Sequence, residues 1–268
     1  MAAMMVMRTL ARNGWHVGRK TLPRCACLHN ESGMTQPDTH VLDNPIWSSL
    51  ASGHLHFRLG GPLACRYRAD VAPFAAIAAS PDAMPAAWQA LHGLLELGEQ
   101  LSLFAISAID VPQEFDVERA GILQQMIVVR DPGGQVDTTD IVRLGHDDVA
   151  DMFDLTERTK PGPFRTRTQE TGQYIGIREG GRLIAMAGER MQLDDYVEIS
   201  AVCVDDAHRG KGLANRLIRV LQHDIAQRGQ TPVLHVFEHN RTAIALYERL
   251  GFAVRRSFYL TKVMRREV

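Results

Sequence analysis

Cysteine is scarce in this chain. Its four cysteines, Cys25, Cys27, Cys65 and Cys203, form no CxxC pair and no cluster with histidine at metal-ligand spacing. That excludes a zinc module or a disulfide framework, and no metal is expected. A reducing, cytoplasmic setting suits thiols used as small buried hydrophobes. Long apolar runs are missing too: none approaches the ~20 residues that cross a bilayer as a helix. Charge of one sign is not in excess, the net value being -1, so nothing global points to nucleic acid or an anionic membrane. There is no repeat at a solenoid period. What remains is ordinary for a globular protein: 45% hydrophobic and 23% charged residues in a chain of 268. That length allows one large domain or two small ones with a substantial core.

The charge is nonetheless uneven. Residues 1–33 set Arg8, Arg12, Arg19, Lys20 and Arg24 against Glu31. Two readings fit such a leader: an Arg-rich organelle transit segment, or a disordered or processed tail preceding a start at Met34. The tail is the plainer one.

Two α/β blocks follow, at 34–135 and 136–268. In the first, "HLHFRLGGPLACRYR" reads as a hairpin turning at Gly60-Gly61. "MPAAWQALHGLLELGEQ" has helical spacing, with Pro85 in its first turn. "LSLFAIS" and "LQQMIVVR" read as strands, and "DPGGQ" breaks the pattern at Gln135. In the second block "TTDIVRLG" reads as a strand and "DDVADMFDLTERT" as a helix, with "KPGPFRTRTQETG" as a loop. A hairpin turns at Gly180-Gly181. The strand "YVEISAVCV", a helix from Leu213 to Arg228, the strand "PVLHVF" and a helix from Arg241 to Leu250 follow. "FAVRRSFYLTKVM" closes the chain as one long strand or a hairpin.

The informative stretch lies between the strand and the first of those two helices: Arg209-Gly210-Lys211-Gly212. Leu213, Leu217, Leu221 and Ile225, with Ile218, form one apolar stripe, and Gly229 then Pro232 close the helix. Gly210 and Gly212 therefore stand at a helix N-terminus, where unpaired N–H groups and the helix dipole favour an anion. Bare backbone lets a bulky phosphate approach, and Arg209 and Lys211 add charge. The anion is not bound by a P-loop, since no Ser or Thr follows the lysine. Nor is it held by a dinucleotide turn, whose third glycine is Asn215 here.

The pattern Arg209-x-x-Gly212-x-Ala214 resembles the acyl-CoA pyrophosphate loop of the GNAT acetyltransferases, [QR]-x-x-G-x-[GA]. "HNRTAIALYERLGF", with Asn240 as helix N-cap and Gly251 after the helix, resembles the family's second CoA-binding motif. Both lie in the expected order, one strand apart, and the resemblance runs from about Thr139 onward, nearest to the FR47-like branch. It implies a mixed, mostly antiparallel central sheet flanked by helices, preceded by a smaller N-terminal α/β region that is either a degenerate half-copy or an accessory domain.

The resemblance further implies an N-acetyltransferase that moves an acetyl group from acetyl-CoA to a primary amine by direct attack in a ternary complex. The CoA site would comprise Val202, Cys203 and Val204 on the strand, Arg209, Gly210, Lys211, Gly212, Leu213 and Ala214 at the turn, and Asn240 and Tyr247. Tyr247 is the candidate acid for the leaving thiolate, though it also sits on an apolar stripe. Glu198, an acid inside an apolar strand, is the candidate base, or else a charge paired with an arginine such as Arg190. Cys203, with no activating partner nearby, reads as a structural thiol. His235 reads as a core histidine. Phe164 and Arg165, on the loop that would wall the acceptor site, are the candidate substrate contacts. The acceptor is a small-molecule or peptide amine, and the protein a monomer or homodimer. A non-catalytic acyl-CoA sensor or scaffold is the competing function.

Overall fold

The computed structural model describes residues 40–266, apart from Ala79 and Pro132. The basic leader, Met34, Cys25 and Cys27 lie outside the described residues. The first block contributes α1 (Pro45–Ala51), β1 (Arg58–Gly60), β2 (Ala64–Tyr67), β3 (Ala75–Ile77), α2 (Met84–His92), β4 (Gln100–Ala105) and β5 (Phe115–Val128). The second contributes β6 (Ile141–Leu144), α3 (Val149–Thr159), β7 (Tyr174–Glu179), β8 (Arg182–Gln192) and β9 (Tyr196–Val204). It continues with α4 (Leu213–Gln227), β10 (Thr231–Phe237), α5 (Arg241–Arg249) and β11 (Phe252–Arg265). The strand β11 is continuous, so of the two closing forms expected the single long strand is the one found. The helix α2 is shorter than its apolar spacing predicts: it stops at His92, before Gly93, and Leu97 beyond it is 60% exposed.

Strands β1–β3 form a small antiparallel sheet. The other eight make one sheet in the order β4-β11-β5-β10-β9-β8-β7-β6. Every neighbouring pair in it is antiparallel except β9 with β10. The break at Gln135 therefore does not divide the sheet. Strand β5, from before it, lies between β10 and β11, from after it, pairing from Phe115↔Arg265 to Val128↔Phe252 on one side and Leu123↔Phe237 to Val233↔Ile127 on the other. Only the end of β5 reads as a strand in sequence. Its first half carries Asp116, Glu118 and Arg119, whose side chains are exposed, and the apolar alternation is lost there.

Two cores cover the two faces of this sheet. On one, the α4 stripe of Leu213, Leu217, Ile218, Leu221 and Ile225 packs with Ile244 of α5 against Ile199, Leu234 and Val236. Burying each such side chain contributes about 1.5–3 kcal/mol. On the other, Leu42, Ile46 and Leu50 of the N-terminal region pack with Phe74, Phe104, Val233 and Phe258. Consecutive residues of β10 alternate between these cores, as strand geometry requires. Gly251, φ +88, closes α5 where a Cβ would sit 1.9 Å from the Arg130 carbonyl oxygen, so no other residue fits.

Candidate active site

The parallel strands β9 and β10 share register only from Thr231↔Tyr196 to Val233↔Glu198. Beyond that pair they part, while their outer edges stay paired to β8 and β5. The inner-edge backbone groups of Ile199–Val204 and Leu234–Phe237 are thereby released. A bulge in β9 accompanies the parting: two residues, Ala201 and Val202, oppose one on β8, between Met186↔Cys203 and Gly188↔Ser200. Ala201 takes φ 50 there, a left-handed conformation costing a residue with a Cβ about 1–2 kcal/mol. Bulges re-aim a strand, and this one bends β9 where the strands separate.

A cavity of ≈ 1330 Å³ fills the gap, and Val202–Val204, Arg209–Ala214, Asn240 and Tyr247 all line it. The predicted CoA residues are therefore brought to one place. Gly212 is the N-cap position of α4 with φ 75, and Gly210 has φ 78. Nothing lies within 4 Å of a Cβ built on either. Their backbone conformation calls for glycine, while the space above them stays open. Lys160, Arg209, Lys211, Arg216 and Arg249 are among the residues that line the cavity.

Asn240 caps α5, its side-chain oxygen accepting from the Ala243 N–H at 3.1 Å. About two turns on, Tyr247 packs edge-on to Phe252 with ring centroids 6.0 Å apart while also lining the cavity. Packing and access to the cleft thus coexist in one side chain. Burial alone pushes its phenol up to about 12, so the hydroxyl keeps its proton at neutral pH. The Cys203 thiol is buried and pushed up to about 11 by that burial, an unreactive side chain on a strand whose backbone faces the cleft.

Glu198 is placed differently from a general base. It is 1% exposed and absent from the cavity wall. Its carboxylate accepts from Arg190 through Nε at 2.9 Å and through Nη2, and from His235 Nδ1 at 2.8 Å. Burial pushes its pKa up, but Arg190 and His235 outweigh burial and hold it at about 2. A carboxylate that weakly basic and that fully bonded is an ion-pair partner, the second of the two roles its strand position allows.

His235 does reach the wall, and its bonding can be read from its neighbours. Arg255, which can only donate, bonds Gln125 Oε1 at 2.9 Å. The Gln125 amide NH₂ therefore faces the Leu42 carbonyl at 3.0 Å and His235 Nε2 at 3.1 Å. Nε2 must accept, and Nδ1–H must donate to Glu198. Both ring nitrogens are in use. No short-range signal marks this network, since Gln125 and His235 are 110 residues apart.

The remaining wall comes from the second core: Phe74, Phe104 and Leu123 of the N-terminal region, with Phe237 and Leu260. Phe104 lies 5.2 Å from the His235 ring, and the Arg190 guanidinium stands 4.9 Å over Phe74. The acceptor loop contributes other residues than those expected. Phe164 packs between Phe153 and Tyr174, centroids at 5.4 and 5.9 Å, as part of a separate core beside α3. Arg165 is exposed, and neither lines the cavity, whereas Lys160–Pro163 do. The aromatic ring is partly buried against the apolar side chains next to α3, and that packing draws it away from the cleft. Among the described residues no His, Cys, Asp and Glu group could hold a metal ion, and no helix is long and apolar enough to cross a membrane.

The profile of the FR47-like protein family matches residues 174–260. The chain is 39% identical over 118 residues to the N-alpha-acetyltransferase RimI of Mycobacterium tuberculosis, covering 41% of this chain and 73% of that protein. It is 30% identical over 131 residues to the [ribosomal protein bS18]-alanine N-acetyltransferase of Escherichia coli, covering 47% of this chain and 85% of that one. A solved GNAT-family acetyltransferase structure from Novosphingobium aromaticivorans superposes with a TM-score of 0.79 at 37% identity, over 85% of this chain and 100% of that chain. With two CoA-type motifs meeting in one cleft between parted strands, and with these relatives, the chain is an acyltransferase that belongs to the GNAT superfamily, in its FR47-like branch.

Proposed function

We propose that the protein transfers an acetyl group from acetyl-CoA to a primary amine by direct attack within a ternary complex. The observation that carries this reading is the convergence of the Gly210–Gly212 turn, the freed strand edges and the Tyr247 side chain on one cavity. Open space above two left-handed glycines at a helix N-terminus fits a pyrophosphate. Arg209 and Lys211 add charge, and Leu213 and Ala214 present the first N–H groups of α4. The released backbone groups of Val202, Cys203 and Val204 suit the amides of a pantetheine arm, with Asn240 beside them.

Bound there, the thioester supplies the activated acyl carbon, and the cleft contributes alignment, which accounts for much of such an acceleration. As the amine nitrogen bonds that carbon, the C–S bond breaks and its electron pair leaves on sulfur. The Tyr247 hydroxyl, protonated at neutral pH, can donate to that sulfur as charge develops. The amine proton goes to solvent, since Glu198 is committed to Arg190 and His235.

Free-thiol release from acetyl-CoA across an amine panel, beside calorimetric titration with CoA, tests this. Release that depends on both substrates supports the enzyme. CoA binding without release from any amine supports a sensor and ends the proposal.

A further inference from the structure

We infer that His208 is a donor-binding residue, neutral in the free protein and charged beside the bound CoA pyrophosphate, so that donor binding takes up a proton. The inference rests on the CoA site proposed above and adds to it a residue and a linked proton.

His208 ends the 3-10 turn Asp206–His208 and immediately precedes Arg209. It lines the cavity, with its side chain only 15% exposed. The base of that turn is fixed from several sides. Asp205 caps it by accepting from the Ala207 N–H at 3.0 Å, and its own N–H donates to the Ile184 carbonyl at 2.8 Å. Arg158 of α3 bonds Asp205 Oδ2, and Arg182 of β8 stands 3.6 Å from the same oxygen. The imidazole is therefore held in place, two residues before the first of the anion-favouring glycines.

The two ring nitrogens differ. Nε2 lies 2.8 Å from Glu179 Oε2 at the end of β7. The bond to His208 holds the Glu179 carboxyl below its usual range, so at neutral pH it is ionised and can only accept. Nε2 therefore carries a hydrogen, and Nδ1 is the nitrogen that gains or loses one. Nδ1 is buried and has no hydrogen-bond partner among the described residues. Asp205 Oδ1 stands 3.7 Å from it, beyond hydrogen-bond reach. A proton on Nδ1 would make a buried N–H without an acceptor, a costly state that favours the neutral ring.

The surrounding charges nearly offset one another. Glu179, Asp205 and Asp206 favour an imidazolium, while Arg158 and Lys160 at the end of α3, Arg182 of β8, and Arg209 and Lys211 of the turn oppose it. A pyrophosphate at Gly210–Gly212 adds two negative charges to one side of that balance. Opposite charge nearby favours the charged form of an imidazole, the side chain whose ionisation falls near neutral pH. The proton comes from solvent and no bond of CoA changes. A shift of one pKa unit on binding corresponds to about a tenfold change in Kd across the transition.

The test uses the full chain and 3′-dephospho-CoA, whose pyrophosphate does not titrate near neutrality, so that any proton counted belongs to the protein. Titration calorimetry at pH 7 in MOPS and in imidazole, buffers of different ionisation enthalpy, counts the protons. The parent should take up about half a proton, and its Kd should rise about tenfold from pH 6 to pH 8.5. His208→Gln, which keeps a donor toward Glu179, should take up none and hold one weaker Kd across that range. His208→Lys, a fixed cation, should also take up none but bind as tightly as the parent does at pH 6; either variant decides the matter if the other does not fold. No uptake by the parent, or undiminished uptake in a folded variant, would overturn the inference while leaving the CoA site intact. Absence of binding by both CoA and 3′-dephospho-CoA would overturn the CoA site and this inference together.

Discussion

Replacing Glu198 by Gln separates an ion-pair partner from a catalytic base. The change keeps the side chain's shape but removes the negative charge that Arg190 and His235 share. Folding moves this carboxyl from 4.5 to about 2, which corresponds to roughly 3 kcal/mol favouring the folded state at neutral pH. Breaking one side of a buried pair costs about the same, 3–5 kcal/mol. For a domain of this size that is a drop in Tm of roughly 6–12 °C at pH 7. Because the folded value is depressed, the stabilisation is fully present above about 4.5 and fades as pH falls toward 2. Calorimetric melts of parent and variant should therefore converge in acid. Thiol release measured below the variant's Tm should keep the parent's pH dependence, since the acceptor's own ionisation governs it. Unchanged melting at pH 7, joined to an activity loss that shrinks as pH rises, would refute this reasoning and make Glu198 the base.

Gly212→Asp should abolish acetyl-CoA binding in calorimetry by setting a like charge where phosphate would lie. The fold should survive with a Tm lower by a few degrees, since a Cβ there meets no protein atom but a left-handed residue costs about 1–2 kcal/mol; unchanged CoA affinity would remove the loop's role. Tyr247→Phe keeps the packing on Phe252 and removes one donor, so kcat should fall on the order of 10²–10⁴ with little change in CoA affinity. Parent-like turnover on a good acceptor would leave Tyr247 a core aromatic. Phe164→Ala should lower stability by on the order of 2–3 kcal/mol through loss of its seat between Phe153 and Tyr174. It should leave the acceptor KM within about twofold by the same logic, and a large KM rise at constant Tm would return Phe164 to the acceptor site.

Sequence by itself determined the features whose causes are local. The α4 stripe recurs at the helical period, the N-cap of Asn240 needs only its own helix, and Gly210 and Gly212 advertise a backbone that other residues resist. Those local features marked the anion-favouring turn and the two helices, while the CoA assignment and the sheet class followed from the resemblance of the two motifs to the GNAT family. Tertiary structure decided whatever depends on distant partners. Strand β5 joins the sheet of the second block through edge pairing that its exposed, charged first half does not announce. The parting of β9 from β10 and the bulge at Ala201 belong to register between strands, and period-two alternation is the same on either side of them. The role of Glu198 turned on Arg190, His235 and Gln125, brought to it only when the four strands β8, β9, β10 and β5 align. An acid in an apolar strand is equally consistent with a base or a buried pair, because its chemistry is set by which groups stand within hydrogen-bond reach, and that distance exists only after folding.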